Sequence, residues 1–202
     1  MEGHHLVLGE LIDRLTGEIL PDTHDERYRQ EIARFLVEDR GFSPEAIRPR
    51  RMLEVRVPKR AGGDATPPYQ VRAGTRGGRV PVDFVVEAAG RAAMMVKYGP
   101  GSLVTRHRSA LAMGRLVADR PVPVVVVTNG EDADVLDGLT GKMRGSGWAA
   151  IPGRDALAEI AESADATPLS PERAEMEARI VYAYEIDGAC PCDDTVCRID
   201  AT

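Results

Sequence analysis

The run Pro123-Val124-Val125-Val126-Val127-Thr128 constrains the fold of this chain more than any other stretch. Consecutive β-branched residues leave no polar position for a strand face to turn to water, so the segment reads as a strand buried on both sides of a sheet. Asn129-Gly130 closes it with a turn signal. Just ahead, Leu103 to Ala118 carries Leu103, Leu111, Leu116 and Val117 beside small Ala110, Ala112 and Gly114, which predicts a helix lying close on that sheet. A helix between two strands of one sheet makes a right-handed crossover, and this places the start of the helix at the same sheet edge as the end of the preceding strand.

That preceding strand is half of a hairpin. Val80, Val82, Phe84 and Val86 alternate with Pro81, Asp83, Val85 and Glu87, a period of two that predicts a strand with Asp83 and Glu87 on one face. Ala88 to Arg91 reads as the turn, and Ala92 to Tyr98 as a nearly all-apolar second strand holding Lys97 and ending at Gly99-Pro100-Gly101. Charges rising out of apolar runs are costly unless partnered, so Asp83 and Lys97 are expected at one sheet edge with something between them.

The remaining elements follow from shorter signals. Thr23 or Asp25 caps a helix in which Tyr28, Ile32, Phe35 and Leu36 recur at helical spacing until Gly41. Glu31, next to Ile32, either looks toward a sheet edge or is solvated. Arg51 to Pro58 predicts the first, half-buried strand of the sheet. Lys59 to Gly78 is too rich in Gly, Pro, Arg and Thr to pack and reads as a long loop. Residues 132–148 predict a turn and a short β segment, and Asp155 to Ala164 a helix. A Pro-containing linker, Thr167 to Pro171, leads to a last helix over Glu172 to Glu185. Met1 to Asp22 carries no chemical signal. The expected fold class is α/β, a mixed central sheet flanked by helices, with a core over residues 1–165 and a linker, helix and cysteine-containing tail over 166–202.

Composition bounds the chemistry. At 202 residues and 43% apolar the chain can bury a real core, and its net charge of −6 argues against a surface coated for nucleic acid. It leaves room for local basic clusters, as at Arg48 to Arg60 and at Arg106 and Arg108. No stretch has the length of a membrane span and the N-terminus lacks a signal-peptide pattern, so a soluble cytoplasmic protein is expected. The three cysteines, Cys190, Cys192 and Cys197, all lie in the last thirteen residues and cannot form a disulfide framework. They are either a reduced, exposed tail or ligands of zinc or an iron-sulfur cluster completed by a fourth group from elsewhere. No histidine and serine spacing suggests a nucleophilic triad, and the Gly99 to Gly101 segment lacks the ending of a nucleotide-binding loop.

Several stretches in succession resemble the N-terminal nuclease domain of type I restriction enzyme R subunits, in its small stand-alone form, within the PD-(D/E)xK nuclease superfamily. They are Asp25 to Gly41 (DERYRQEIARFLVEDRG), Leu53 to Val57, Pro81 to Val86 (PVDFVV), Met95 to Leu103 (MVKYGPGSL), Arg106 to Leu116 and Pro123 to Leu139, covering most of residues 20 to 160. The resemblance implies a restriction-endonuclease-like core, DNA as substrate, and a helicase or other restriction-system subunit as partner. It puts the family's metal-binding aspartate on Asp83 and its lysine on Lys97, for Mg²⁺-dependent phosphodiester hydrolysis. The hard carboxylate would bind the ion, and the lysine would orient water and offset phosphate charge. The family's second acidic ligand, two residues before the lysine, is Met95 here, and a thioether is no ligand for Mg²⁺. Glu87 is about 13 Å along the strand from Asp83, so the compensating candidates are Glu31 first and Glu54 second. Arg106 and His107, at the start of the second helix, are candidate phosphate-binding residues. The implied function is a DNA endonuclease-like domain with an incomplete catalytic motif; the alternative is an inactive descendant that binds nucleic acid or a partner through the same edge.

Overall fold

The computed structural model describes residues 7–57, 77–165 and 167–186. The crossover sets the architecture. Strand β5 (Arg91–Tyr98) runs parallel to β6 (Val124–Thr128), with helix α2 (His107–Leu116) between them. Every residue of β6 is buried, because helices cover both faces of the sheet at this strand. Gly114 lets α2 lie close: a Cβ there would come within 2.6 Å of a methyl of Val125.

The other pairings of the sheet are antiparallel. β3 (Ile47–Arg56) pairs with β4 (Gly77–Ala88), and β4 with β5 across a turn at Ala89 and Gly90, both at positive φ as a two-residue hairpin turn requires. Beyond β6 lie β7 (Ala133–Asp137) and β8 (Met143–Ser146), giving the order β3-β4-β5-β6-β7-β8. The sequence pattern therefore understates residues 132–148, where a buried strand stands in place of the expected turn. A separate hairpin of β1 (Glu10–Ile12) and β2 (Ile19–Pro21) occupies the N-terminal segment.

Helix α1 (His24–Arg34) is capped by Thr23, whose hydroxyl accepts the Glu26 N–H at 3.1 Å, and it continues through a π-helical turn, Phe35–Asp39. Gly41, at φ 74°, follows the end of this helical segment. α1 and α3 (Arg154–Ser163) pack on one face, burying Ile32, Leu36 and Leu157 against Phe84, Val86, Met94, Val96 and Tyr98. α2 and α4 (Pro171–Val181) pack on the other, burying Met113 and Val181 with Val80, Val82, Val85 and Met95. A second π-helical turn, Tyr182–Ile186, extends α4 over β4, and Ile186 rests on Gly78.

One expectation fails in a way that shapes the site. Val80, Val82, Phe84 and Val86 do not share a face: the first two belong to the α2/α4 core and the last two to the α1/α3 core. The strand pair rolls over at Asp83. On the partner strand Arg50, between the Pro49–Phe84 and Arg51–Val82 pairs, sits at φ 51°, a left-handed residue inside a strand. That local reversal breaks the two-residue period and turns Phe84 out of the row that Val80 and Val82 begin. A register shift between Val86 and Glu87 interrupts the pairing of β4 with β5, and Glu87 pairs with Arg48 at 3.2 Å.

Candidate functional site

Asp83 lies at the roll of β4, almost fully buried, with both carboxylate oxygens engaged. One accepts the backbone N–H of Tyr98 at 2.9 Å, and the other accepts Nε of Arg29 at 2.7 Å. Arg29 comes from α1, on which Glu26, Arg29 and Gln30 fall at the three- and four-residue spacings of one helix face. Its guanidinium also approaches Glu26 at 3.6 Å and lies 5.3 Å from the centre of the Tyr98 ring. Burial would push the Arg29 pKa down, but the charge and hydrogen bond of Asp83, with the charges of Glu26 and Asp25, together hold it above its ordinary value, so the group stays a cation.

A polar network spreads from this pair beneath α1. The Gln30 amide donates to Glu26 at 3.0 Å and to Asp13 at 3.2 Å. Asp13, 2% exposed, accepts Arg50 at 2.7 Å and the N–H groups of Leu15 and Thr16, each at 2.8 Å. Desolvation alone would raise the Asp13 pKa; the bonds from Arg50, Thr16, Leu15 and Gln30 together bring it below the usual carboxylate range. Arg50 thus has a reason for its unusual backbone, since its side chain closes this network. On the other side Tyr98 stacks on Tyr28, which stacks on His24, and the Tyr98 hydroxyl donates to Asp25 at 3.2 Å. Burial, reinforced by Asp25, pushes the Tyr98 hydroxyl far above its ordinary range and keeps it a donor.

Lys97 belongs to a different environment. In β5, Met94, Val96 and Tyr98 enter the α1/α3 core, while Met95 enters the α2/α4 core. Lys97, two residues on from Met95, reaches Glu185 in the turn after α4, with Nζ 3.2 Å from the carboxylate and both side chains largely buried. Asp83 and Lys97 are neighbours in the sheet, one step beyond the Phe84–Val96 pair, yet their partners come from helices on opposite sides of it. Met95 is completely buried in the α2/α4 core and is a packing residue there.

The other predicted residues are occupied elsewhere. Glu31 is solvated and pairs with Arg34 at 2.9 Å, and exposed Glu54 pairs with Arg79 at 3.4 Å. Arg106 folds back over Gly99, where a Cβ would meet its Nε at 2.6 Å, and donates to the carbonyls of Pro100 and Ser102. His107 Nε2 and Asp134 Oδ2 share a hydrogen bond of 2.8 Å, tying the start of α2 to β7. Cys190, Cys192 and Cys197 lie outside the described residues. Sequence reasoning missed Arg29, Glu26, Gln30 and Glu185. The spacing of the first three along α1 is a visible signal for a polar helix face, whereas nothing links Glu185 to a lysine 88 positions earlier.

A family model described as the type I restriction enzyme R protein N terminus matches residues 24–152. The chain belongs to this family. No curated protein and no solved structure matches it. The matched region runs from the start of α1 to the turn after β8, so it includes Asp83, Lys97 and the whole sheet but neither α4 nor Glu185. In this R-protein N-terminal domain the donor set at Asp83 does not suit a Mg²⁺ ion. An octahedral oxygen site needs several hard ligands, but the Arg29 guanidinium already lies against Asp83, and Met95 offers a buried thioether. Among the described residues no three His, Cys, Asp or Glu side chains converge to hold a metal, and no helix is long and apolar enough to cross a membrane.

Proposed function

We propose that this chain is a non-cleaving member of the R-protein N-terminal family, a nuclease-fold module that binds DNA in a restriction system without hydrolysing it. The pairing of Asp83 with Arg29 carries this reading. A fixed guanidinium supplies positive charge where the family's chemistry implies a dication, and unlike a dication it cannot activate water. Burial of Met95 and neutralisation of Lys97 by Glu185 point the same way. The family supports DNA as the ligand, with a helicase or modification subunit as the associated component. Retention of Asp83 and Lys97 favours a second reading, Mg²⁺-dependent cleavage, in which Arg29 leaves Asp83 on binding and another carboxylate replaces the missing ligand.

Incubation of the purified protein with supercoiled plasmid and Mg²⁺ or Mn²⁺, beside Asp83→Ala and Lys97→Ala, separates the two. The expected result is retardation of the DNA with no nicking by any of the three proteins. Metal-dependent nicking that disappears in both variants overturns the non-cleaving reading.

A further inference from the structure

The arginines of this chain are, with few exceptions, held by a carboxylate or a carbonyl. Among the described residues only Arg51, Arg91, Arg108 and Arg120 have no hydrogen-bond or ion-pair partner for the side chain. Three of these four line one open cleft of about 450 Å³. Arg51 comes from β3, Arg91 from the first position of β5, and Arg120 from the segment that follows α2. Glu87 also lines the cleft, but Arg48 already neutralises it at 3.2 Å. Asp119 is then the one lining carboxylate set against three guanidinium groups.

Chance solvation is a poor account of this arrangement. One nitrogen of Arg91, Nη2, is buried from solvent and has no hydrogen-bond partner. A buried donor left unpaired costs free energy, and three like charges around one cleft repel, so the folded chain bears two costs that a bound anion would remove together. Guanidinium forks match the oxygen geometry of phosphate and bind it in bidentate fashion. The cleft is also separate from the Asp83 and Lys97 pairs: Arg91 opens β5 and Tyr98 closes it, which spaces them by roughly 20 Å along the strand.

We propose that this cleft is a phosphate-binding site, in which Arg51, Arg91 and Arg120 hold a phosphate monoester or diester. The shared chemistry is the tetrahedral oxyanion, carried either by a free phosphorylated ligand or by a nucleic-acid backbone. The test measures binding of inorganic pyrophosphate by calorimetry, and of a short DNA duplex by fluorescence anisotropy across a salt series. The proteins are the intact chain, Arg51→Ala, Arg120→Ala, Arg91→Lys and, as control, Arg108→Ala. Arg51 and Arg120 are exposed, so their removal should leave the fold intact, which circular dichroism checks. Each cleft variant should weaken binding roughly tenfold, and each alanine variant should lower the salt slope for duplex by about one, with Arg108→Ala unchanged. Arg91→Lys keeps the charge and removes only the fork, so its loss reads geometry rather than net charge. Weakened pyrophosphate binding with no duplex binding assigns a free phosphorylated ligand and contradicts the DNA-binding reading. Weakened duplex binding assigns the backbone, and either outcome upholds the site. Duplex binding indifferent to the cleft variants, with no pyrophosphate binding, overturns the site and leaves the DNA-binding reading standing. Equal weakening by Arg108→Ala overturns it as well.

Discussion

The two ends of β5 treat charge in opposite ways. At its C-terminal end Asp83, Arg29, Glu26, Asp13, Arg50, Lys97 and Glu185 are each held by a partner; Asp83, Glu26 and Asp13 are buried and the others half-buried. At its N-terminal end Arg51, Arg91 and Arg120 surround an open cleft with no partner among the described residues. A closed network favours structure, because every group has already exchanged its water for a fixed neighbour. An open cluster favours a ligand, because its groups still have something to gain. The end that holds Asp83 and Lys97 is therefore the closed one in this chain, and the end that holds Arg51, Arg91 and Arg120 is the one left unsatisfied.

The largest effect is expected from restoring the missing acid. Met95→Glu puts a carboxylate into the α2/α4 core and should cost about 3 kcal/mol or more in urea unfolding, without producing metal-dependent cleavage. A folded Met95→Glu protein that nicks DNA with Mn²⁺ would break the comparison. Asp83→Ala comes next: it strands Arg29 and the Tyr98 N–H, for an expected loss of about 2 kcal/mol. Part of that loss should return in the double variant Asp83→Ala with Arg29→Met, since removing both charges removes the stranded one. If Asp83→Ala is instead neutral or stabilising, Asp83 is strained in the native state as a ligand would be.

Lys97→Met and Glu185→Gln should each cost about 1 kcal/mol, with a measurable coupling in a double-mutant cycle. Additive effects would separate the C-terminal turn from β5. The acid limb of the stability curve sharpens the picture at the same end. Asp13 has a lowered folded pKa, so its contribution is complete above the ordinary carboxylate range and is lost as pH falls through that lower value. Asp13→Asn should flatten this part of the curve below about pH 4, which thermal melts across pH would show. The smallest effect belongs to the open end: Arg51→Ala and Arg120→Ala should each change stability by less than about 0.5 kcal/mol. A larger destabilisation would mean that these arginines carry structural contacts after all.

The sequence made much of the fold legible because burial on two faces leaves a direct mark on composition. The valine run of β6, the small residues of α2 and the turn at Ala89-Gly90 each announce a local structure that survives in the folded chain. β7 was less legible, since its ADVLD pattern has two acids in five residues. Asp134 is buried against His107, and Asp137 accepts bonds from Thr140 and Arg144. The site was legible in its members and not in its arrangement. Asp83 and Lys97 stand out as charges in apolar strands, but nothing local says which neighbour each will find.

What the sequence determined alone was the α/β class, the crossover from β5 through α2 to β6, and the family. These depend on periodicity and residue type within a few positions of one another. The tertiary structure decided the roll of β4 at Asp83, the guanidinium of Arg29 on its carboxylate, Glu185 over Lys97, and the meeting of Arg51, Arg91 and Arg120 at one cleft. Each is a contact between side chains far apart in the chain, selected by which charges must be buried together, and the free energy of burying a charge depends on the neighbour that the complete fold supplies.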